Sequence, residues 1–291
     1  MVNIPNKANR FPALILLIGG ALGIGLLSRL AMNHDDRGAY ALRTLTDFRE
    51  RTMNEIYFRP SSFTDSNAQR FAAAVAAGNV HDALYLAKAL PDGVDTAAPD
   101  GVTALLIAVN HLDLRMIEAL LKEGANPNGA PGRAPLALAV RAPDLKMAKI
   151  LLAAGADPNG RMDSKTALMQ ASRTGNEAAT SLLLQFHSNV NLGDSLGSTA
   201  VMEAAAAQHW RLVLFLLGHG ASPWASTEPG VTLGNYAWLS RINPASAEGK
   251  AWLQVIQWLK GKGYPWPPPT PKEVLKLRAE GQWPPPGTKR R

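Results

Sequence analysis

The chain has 291 residues, a formal net charge of +7 and no cysteine, which excludes an anchor built on a lipid-modified cysteine. The charge sits at the two ends: residues 1–59 are net +3 and residues 261–291 net +5, while residues 60–260 are net −1. A body this close to neutrality argues against nucleic acid as the main ligand. No His-Glu-x-x-His and no cluster of His, Asp and Glu suggests a metal.

Residues 11–27 read FPALILLIGGALGIGLL and carry no charge. As a helix they reach roughly 25 Å, slightly short of a bilayer core. Leu30, Ala31 and Met32 extend the run if Arg29 snorkels to the headgroups. Lys7 and Arg10 suit a cleaved signal peptide and an uncleaved anchor equally. The apolar stretch is long for a signal core and no Ala-x-Ala site follows, so residues 1–32 are expected to be a short tail and a single transmembrane signal anchor. The short tail favours an N-terminus inside and the remainder outside the cytoplasm. In a bacterial cell that is a single-pass inner-membrane protein facing the periplasm. Residues 33–60 then form a juxtamembrane connector, in which Leu42, Leu45, Arg49, Thr52 and Ile56 suggest a partly amphipathic helix.

From about residue 61 the chain turns repetitive. Thr103-Ala-Leu, Ala134-Pro-Leu, Thr166-Ala-Leu and Thr199-Ala-Val recur every 31 to 33 residues. Asp113, Asp144, Asn176 and His209 stand ten residues after those starts, and Gly124, Gly155, His187 and Gly220 eleven residues later still. A fixed period of this size predicts a stacked solenoid of small helical units. The first helix of each unit is short and rich in Ala, Leu and Val. The Asx column predicts an N-cap for the second helix, and the glycine column its left-handed end. Leu114, Ile117, Leu120 and Leu121, with their equivalents, give the second helix one apolar face.

The flanks diverge. Residues 71–79 fit a first helix with Asn79 as cap, and Thr232 opens a longer last unit whose second helix is centred on 251–260. Glu177, Thr180 and His187 interrupt the pattern of the unit that starts at Thr166, which is therefore expected to be the least regular. Pro265-Trp-Pro-Pro-Pro and Gln282-Trp-Pro-Pro-Pro bracket a short helix opened by Thr270-Pro-Lys-Glu, a capping box with proline at the first helical position. Polyproline II is expected in both proline runs, with Trp266 and Trp283 folding back on the last unit.

TALLIA at 103–108, APLALA at 134–139, TALMQA at 166–171 and TAVMEA at 199–204 match the T-P-L-H-x-A signature, and the chain resembles the ankyrin-repeat family. The resemblance covers roughly residues 67–266. It implies an all-α ankyrin-repeat solenoid in residues 61–266, about six units with degenerate ends, followed by a proline- and tryptophan-rich basic tail at 267–291. No unit keeps the signature histidine.

The resemblance further implies a non-enzymatic module that binds a protein through its turn tips and the inner face of its first helices. Carried over column by column, it selects Val102, Asn110 and His111; Arg133 and Arg141; Arg161, Asp163, Lys165 and Arg173; and Leu192, Asp194, Ser195, Ser198 and Trp224. The arginines and lysine suggest a basic groove centred on the third and fourth units for an acidic partner. No cofactor, metal or small-molecule substrate is expected. Two roles fit: an adaptor holding a partner at the membrane, or an immunity protein neutralising a toxin or lytic enzyme delivered to the periplasm.

A hydrolase reading rests on Gly193-Asp-Ser-Leu-Gly197, which matches a nucleophile elbow. Ser195, however, falls at a repeat's turn tip, and no Asp follows Asp194 in the sequence.

Overall fold

The computed structural model describes residues 60–142 and 144–286. The apolar run at 11–27, the connector at 33–59, Pro143 and the basic residues 289–291 lie outside the described residues. Among the described residues no helix is long and apolar enough to cross a membrane.

A 3-10 turn at Pro60–Ser62 leads into six helix pairs. They are α1 (Ser66–Ala76) and α2 (Val80–Ala87), α3 (Ala104–Asn110) and α4 (Leu114–Lys122), α5 (Pro135–Ala139) and α6 (Lys146–Ala153), α7 (Ala167–Arg173) and α8 (Glu177–Gln185), α9 (Ala200–Ala206) and α10 (Trp210–Gly218), and α11 (Leu233–Leu239) and α12 (Ala247–Gly261). A final helix, α13 (Pro271–Ala279), follows. First helices pack on first helices from α1 to α11, and second helices form the neighbouring layer. Small residues allow the close approach: Ala104, Ala108, Ala137, Ala139, Ala167, Ala171 and Ala204 are fully buried. The histidine column of the family signature is filled by apolar Leu106, Ala137, Met169 and Met202, all buried, so no hydrogen bond is required there.

The helix starts follow the chemistry of capping. Asp65, Asn79, Asp113 and Asn176 accept backbone N–H groups in the first turns of α1, α2, α4 and α8. Two members of the expected Asx column behave differently. Asp144 stands one residue before the N-cap Leu145 and accepts from Lys146 N at 3.0 Å. His209 occupies the N-cap of α10 without a side-chain bond, its imidazole lying over Gly175.

The unit at Thr166 is as regular as its neighbours, contrary to expectation. Thr180 is buried but donates its hydroxyl to Asn176 O at 2.9 Å, which satisfies it inside the helix. His187 takes the left-handed conformation of the glycine column, with φ 62° against 93° at Gly124 and 90° at Gly155. The shortest first helix is instead α5, where Ala134 offers no side-chain cap.

A second chain of bonds joins the units at the loop after each second helix. Asp95 Oδ1 accepts from Asn126 N at 2.8 Å, Asn128 Oδ1 from Asp157 N at 2.6 Å, Asn159 Oδ1 from Asn189 N at 2.7 Å and Asn191 Oδ1 from Ser222 N at 2.7 Å. Each donor stands 29 to 31 residues after its acceptor, one unit along.

The ladder stops where Trp224 replaces the next asparagine. Trp224 is 8% exposed, stacks on Tyr264 at 4.9 Å, and its carbonyl accepts from Trp283 Nε1 at 3.0 Å. The segment after residue 266 is thus packed on the sixth unit. Asn235 Nδ2 donates to Pro269 O at 2.8 Å, Arg278 Nη1 donates to Thr227 O at 3.0 Å, and a Cβ on Gly230 would collide with Pro271 O. The Trp266–Pro267 and Trp283–Pro284 bonds are cis.

Leu112 tests how much the turn between helices costs. It holds φ 58° where Gly175 holds 70° in the equivalent turn, and its side chain is 56% exposed. A left-handed non-glycine residue costs about 1–2 kcal/mol, partly offset by the entropy that glycine loses on folding. Leu112→Gly should therefore stabilise the protein by about 0.5–1 kcal/mol in urea unfolding.

Candidate protein-binding surface

The second, fourth, fifth and sixth units open with a hairpin leading into the first helix, and the third opens with turns whose Arg133 bridges to Met162 of the next hairpin. Isolated bridges close the turns at Ala97 and Thr103, Gly193 and Thr199, and Ser226 and Thr232. The fourth unit forms a short ladder, β1 (Arg161–Met162) antiparallel to β2 (Lys165–Thr166). Neighbouring hairpins also pair directly, through Ala134 N to Arg161 O at 2.9 Å, Asp163 N to Gly132 O at 2.7 Å and Glu228 N to Leu196 O at 2.7 Å.

The hairpin cations are committed to this scaffold. Arg133 Nε donates to Asp100 O at 3.0 Å and its Nη1 meets Asp163 Oδ1 at 3.1 Å, so one side chain clasps the turns before and after its own. Arg161 donates to Ser164 O at 2.6 Å and to Gly193 O of the next hairpin at 2.8 Å. Lys165 Nζ lies 2.5 Å from Glu203 Oε1 and 3.2 Å from Asp194 Oδ2. Ser198 Oγ donates to the same Glu203 oxygen at 3.2 Å. Partial burial pulls the Lys165 ammonium down, but the Glu203 and Asp194 carboxylates outweigh it and hold its pKa above the usual lysine value. Tyr236 of the next unit is raised by burial first and by Glu203 second. Of the cations in the expected basic groove, Arg133, Arg161 and Lys165 therefore tie neighbouring units together, with two carboxylates neutralising the lysine, while Arg173 is exposed.

The other selected positions separate clearly. Asp163 and Ser195 are exposed at hairpin tips, and His111 and Arg173 are exposed on the inner-helix side, Arg173 donating to Gln170 Oε1 at 3.1 Å. Asn110 and Arg141 are half-buried in the column that Arg173 continues. Val102 is buried and Leu192 half-buried. Trp224 is buried in the aromatic cluster and is not offered to a partner. Asp194 shapes its turn: Oδ1 accepts from Leu196 N at 2.9 Å and Ser198 N at 2.8 Å. Ser195 thus stands in a hairpin closed by Gly193 and Thr199, not between a strand and a helix as an elbow requires.

Two columns remain open to a partner on the first helices. In the third to sixth units, four residues after the start lie Leu138, Gln170, Glu203 and Tyr236, all half-buried; in the fourth to sixth, seven after it lie Arg173, Ala206 and Leu239, all exposed. Leu239 is 67% exposed, and Tyr236 sits beside it in the same unit. The count of seven that selected Arg141 and Arg173 finds Leu239 when taken from Thr232, whereas Tyr236 lies in a column that count does not sample.

Residues 71–162 and 160–227 match the family described as ankyrin repeats (3 copies), more than half of the chain. The chain belongs to the ankyrin-repeat family. A curated ankyrin repeat-containing protein of Treponema pallidum (strain Nichols) is 33% identical over 72 residues, which is 25% of this chain and 24% of that protein. The chain thus matches about a quarter of that relative's length. Ankyrin repeats support a protein-binding module, and the family is typically non-enzymatic.

The buried charge cluster makes two measurable demands. Lys165→Ala leaves Asp194 and Glu203 facing each other and should cost about 2 kcal/mol, below the roughly 3–5 kcal/mol of a fully buried pair because Lys165 keeps 31% of its side chain exposed. Adding Glu203→Ala to that variant should cost less than the two single changes combined, which a double-mutant cycle by urea unfolding measures.

The second demand is on pH. Lys165 and Tyr236 are raised, and burial pushes Tyr264 up to about 12, its hydroxyl pointing at Thr232 and Gly234 without a hydrogen bond to either. A raised group favours the fold below its unfolded value and loses that contribution as pH climbs through the folded one. Stability should fall from about pH 10 to about 12, and Tyr264→Phe should flatten the fall.

Proposed function

We propose that this ankyrin-repeat protein is anchored in a membrane by residues 11–32 and binds a protein partner through the first helices and hairpin tips of its fourth to sixth units, holding that partner at the membrane. The observation that carries the binding site is the outward-facing pair of columns ending in Arg173, Tyr236 and Leu239. These residues are exposed or half-buried on helices whose other side chains are locked in the core, so they are presented on a rigid frame with little ordering cost. The chemistry is mixed. Arg173 suits a carboxylate, whereas Tyr236 and Leu239 suit an apolar anchor, and tyrosine and arginine are residue types that dominate interfaces. The uncharged run at 11–27 supports the anchor.

The test uses the full chain in its own membrane. A photo-crosslinking side chain at position 173 or 239 should yield one discrete adduct, and the same probe at exposed Glu118 on the second-helix layer should yield none. Arg173→Glu combined with Leu239→Lys should weaken binding of that partner by at least about tenfold, or roughly 1.4 kcal/mol. An adduct formed only from position 118 would move the site to the opposite layer. For the anchor, the protein should remain with membranes after carbonate washing at its uncleaved mass, and release of a shortened form would overturn it.

A further inference from the structure

The sixth unit differs from the others at the side chains that normally face the next unit. Six residues after the unit start, Val109, Val140, Ser172 and Ala205 are at most 1% exposed, whereas Trp238 in the same column is 51% exposed. Three residues before the end of the second helix layer's loop glycine, Leu121, Leu152, Leu184 and Leu217 are buried or half-buried, and the sixth unit places exposed Lys260 there. The tail covers only part of this end. α13 and Trp283 lie over the hairpin side, held by Thr227, Gly230 and Trp224. On the helix side Trp266 packs edge-on to Trp238 at 5.6 Å, Lys260 stands 5.2 Å above the Trp266 ring, and Lys262 stands 5.5 Å above Trp258.

A terminal repeat is ordinarily finished with a polar outer face. This one ends in half-exposed indoles alternating with ammonium groups. Residues 241–286 hold seven Lys and Arg against three Glu, and Lys260 and Lys262 place two of those cations on this face. That charge is complementary to an anionic surface and opposes pairing with a second copy of the same face. Tryptophan settles at the headgroup level because its ring is apolar and its N–H polar. Lysine lays its stem on apolar surface and sends its charge to the phosphates, and basic groups near an anionic leaflet add attraction that salt screens.

We propose that this end of the repeat array is a lipid-contact face, on which Trp238, Trp266, Lys260 and Lys262 rest against the anionic headgroups of a bilayer. The face adds a second point of membrane contact to the anchor of the proposed function but does not depend on it, since it needs only the tryptophans and lysines described here.

All seven tryptophans lie between Trp210 and Trp283, so indole fluorescence reports on this half of the protein alone. The full chain is reconstituted with vesicles of phosphatidylcholine, or of phosphatidylcholine and phosphatidylglycerol, carrying brominated acyl chains that quench nearby indoles. Quenching should appear in the phosphatidylglycerol vesicles, fall as salt rises, and be weak in phosphatidylcholine alone. Lys260→Glu with Lys262→Glu should bring it down to the phosphatidylcholine level, and Trp238→Phe should reduce it with the helical signal unchanged. Equal quenching in both vesicles, or no response to either variant, overturns the proposal. So does a Trp238 variant that loses an acidic protein partner while its lipid quenching is intact. Flotation with both kinds of vesicle, without quenching in those that contain phosphatidylglycerol, leaves the anchor standing and removes the lipid-contact face. Flotation and quenching only with phosphatidylglycerol does the reverse.

Discussion

The array depends on a carboxylate or amide oxygen reaching a backbone N–H one unit away. Asp95, Asn128, Asn159 and Asn191 each do this along one edge of the stack. A single exposed bond of this kind contributes only about 1 kcal/mol. Its importance is geometric: it fixes the offset between units, and that offset decides which side chains of one hairpin meet the next. Asn126, Asp157 and Asn189 close the turn that aims each acceptor, binding the N–H two residues on. Each of these loops therefore uses two Asn or Asp side chains, one to shape the loop and one to space the repeats.

That spacing also explains which parts of the protein were legible in its sequence. The period, the short alanine-rich first helices, the caps at Asn79, Asp113 and Asn176, and the apolar faces all follow from local rules. Asp144 and His209 share a column with those caps yet behave differently, because capping needs both an acceptor oxygen and an extended backbone at that residue. Asp144 sits a residue too early, and His209 has no oxygen and packs over Gly175 instead. Glu177, Thr180 and His187 make the unit at Thr166 look irregular in sequence, but Thr180 returns its proton to the preceding turn and His187 takes the left-handed conformation of the glycine column, so both are tolerated.

The candidate site was legible by position and not by role. Arg133, Arg161 and Lys165 lie where the family presents residues to partners, but sign and exposure cannot say whether a charge is already engaged. Their partners Asp100, Asp163, Gly193, Asp194 and Glu203 stand 29 to 38 residues away, close to one period. In a repeat protein such a separation means adjacency, so reading each turn cation against the acids and carbonyls one unit before and after it would have recognised the clasps. The aromatic finish of the last unit was harder to anticipate, since it joins residues from α11, α12 and the segment beyond them.

Repeat families commonly lengthen by copying an internal unit, because one unit's two faces fit any neighbour. The sixth unit here has lost that interchangeability. Asn235 serves the Pro269 carbonyl, Trp224 serves Trp283, and the backbone of Pro271 fills the space beside Gly230 that a side chain would need. A copy of this unit inserted upstream would present those groups to an ordinary hairpin and leave them unmatched. The array is thereby closed to extension beyond its sixth unit.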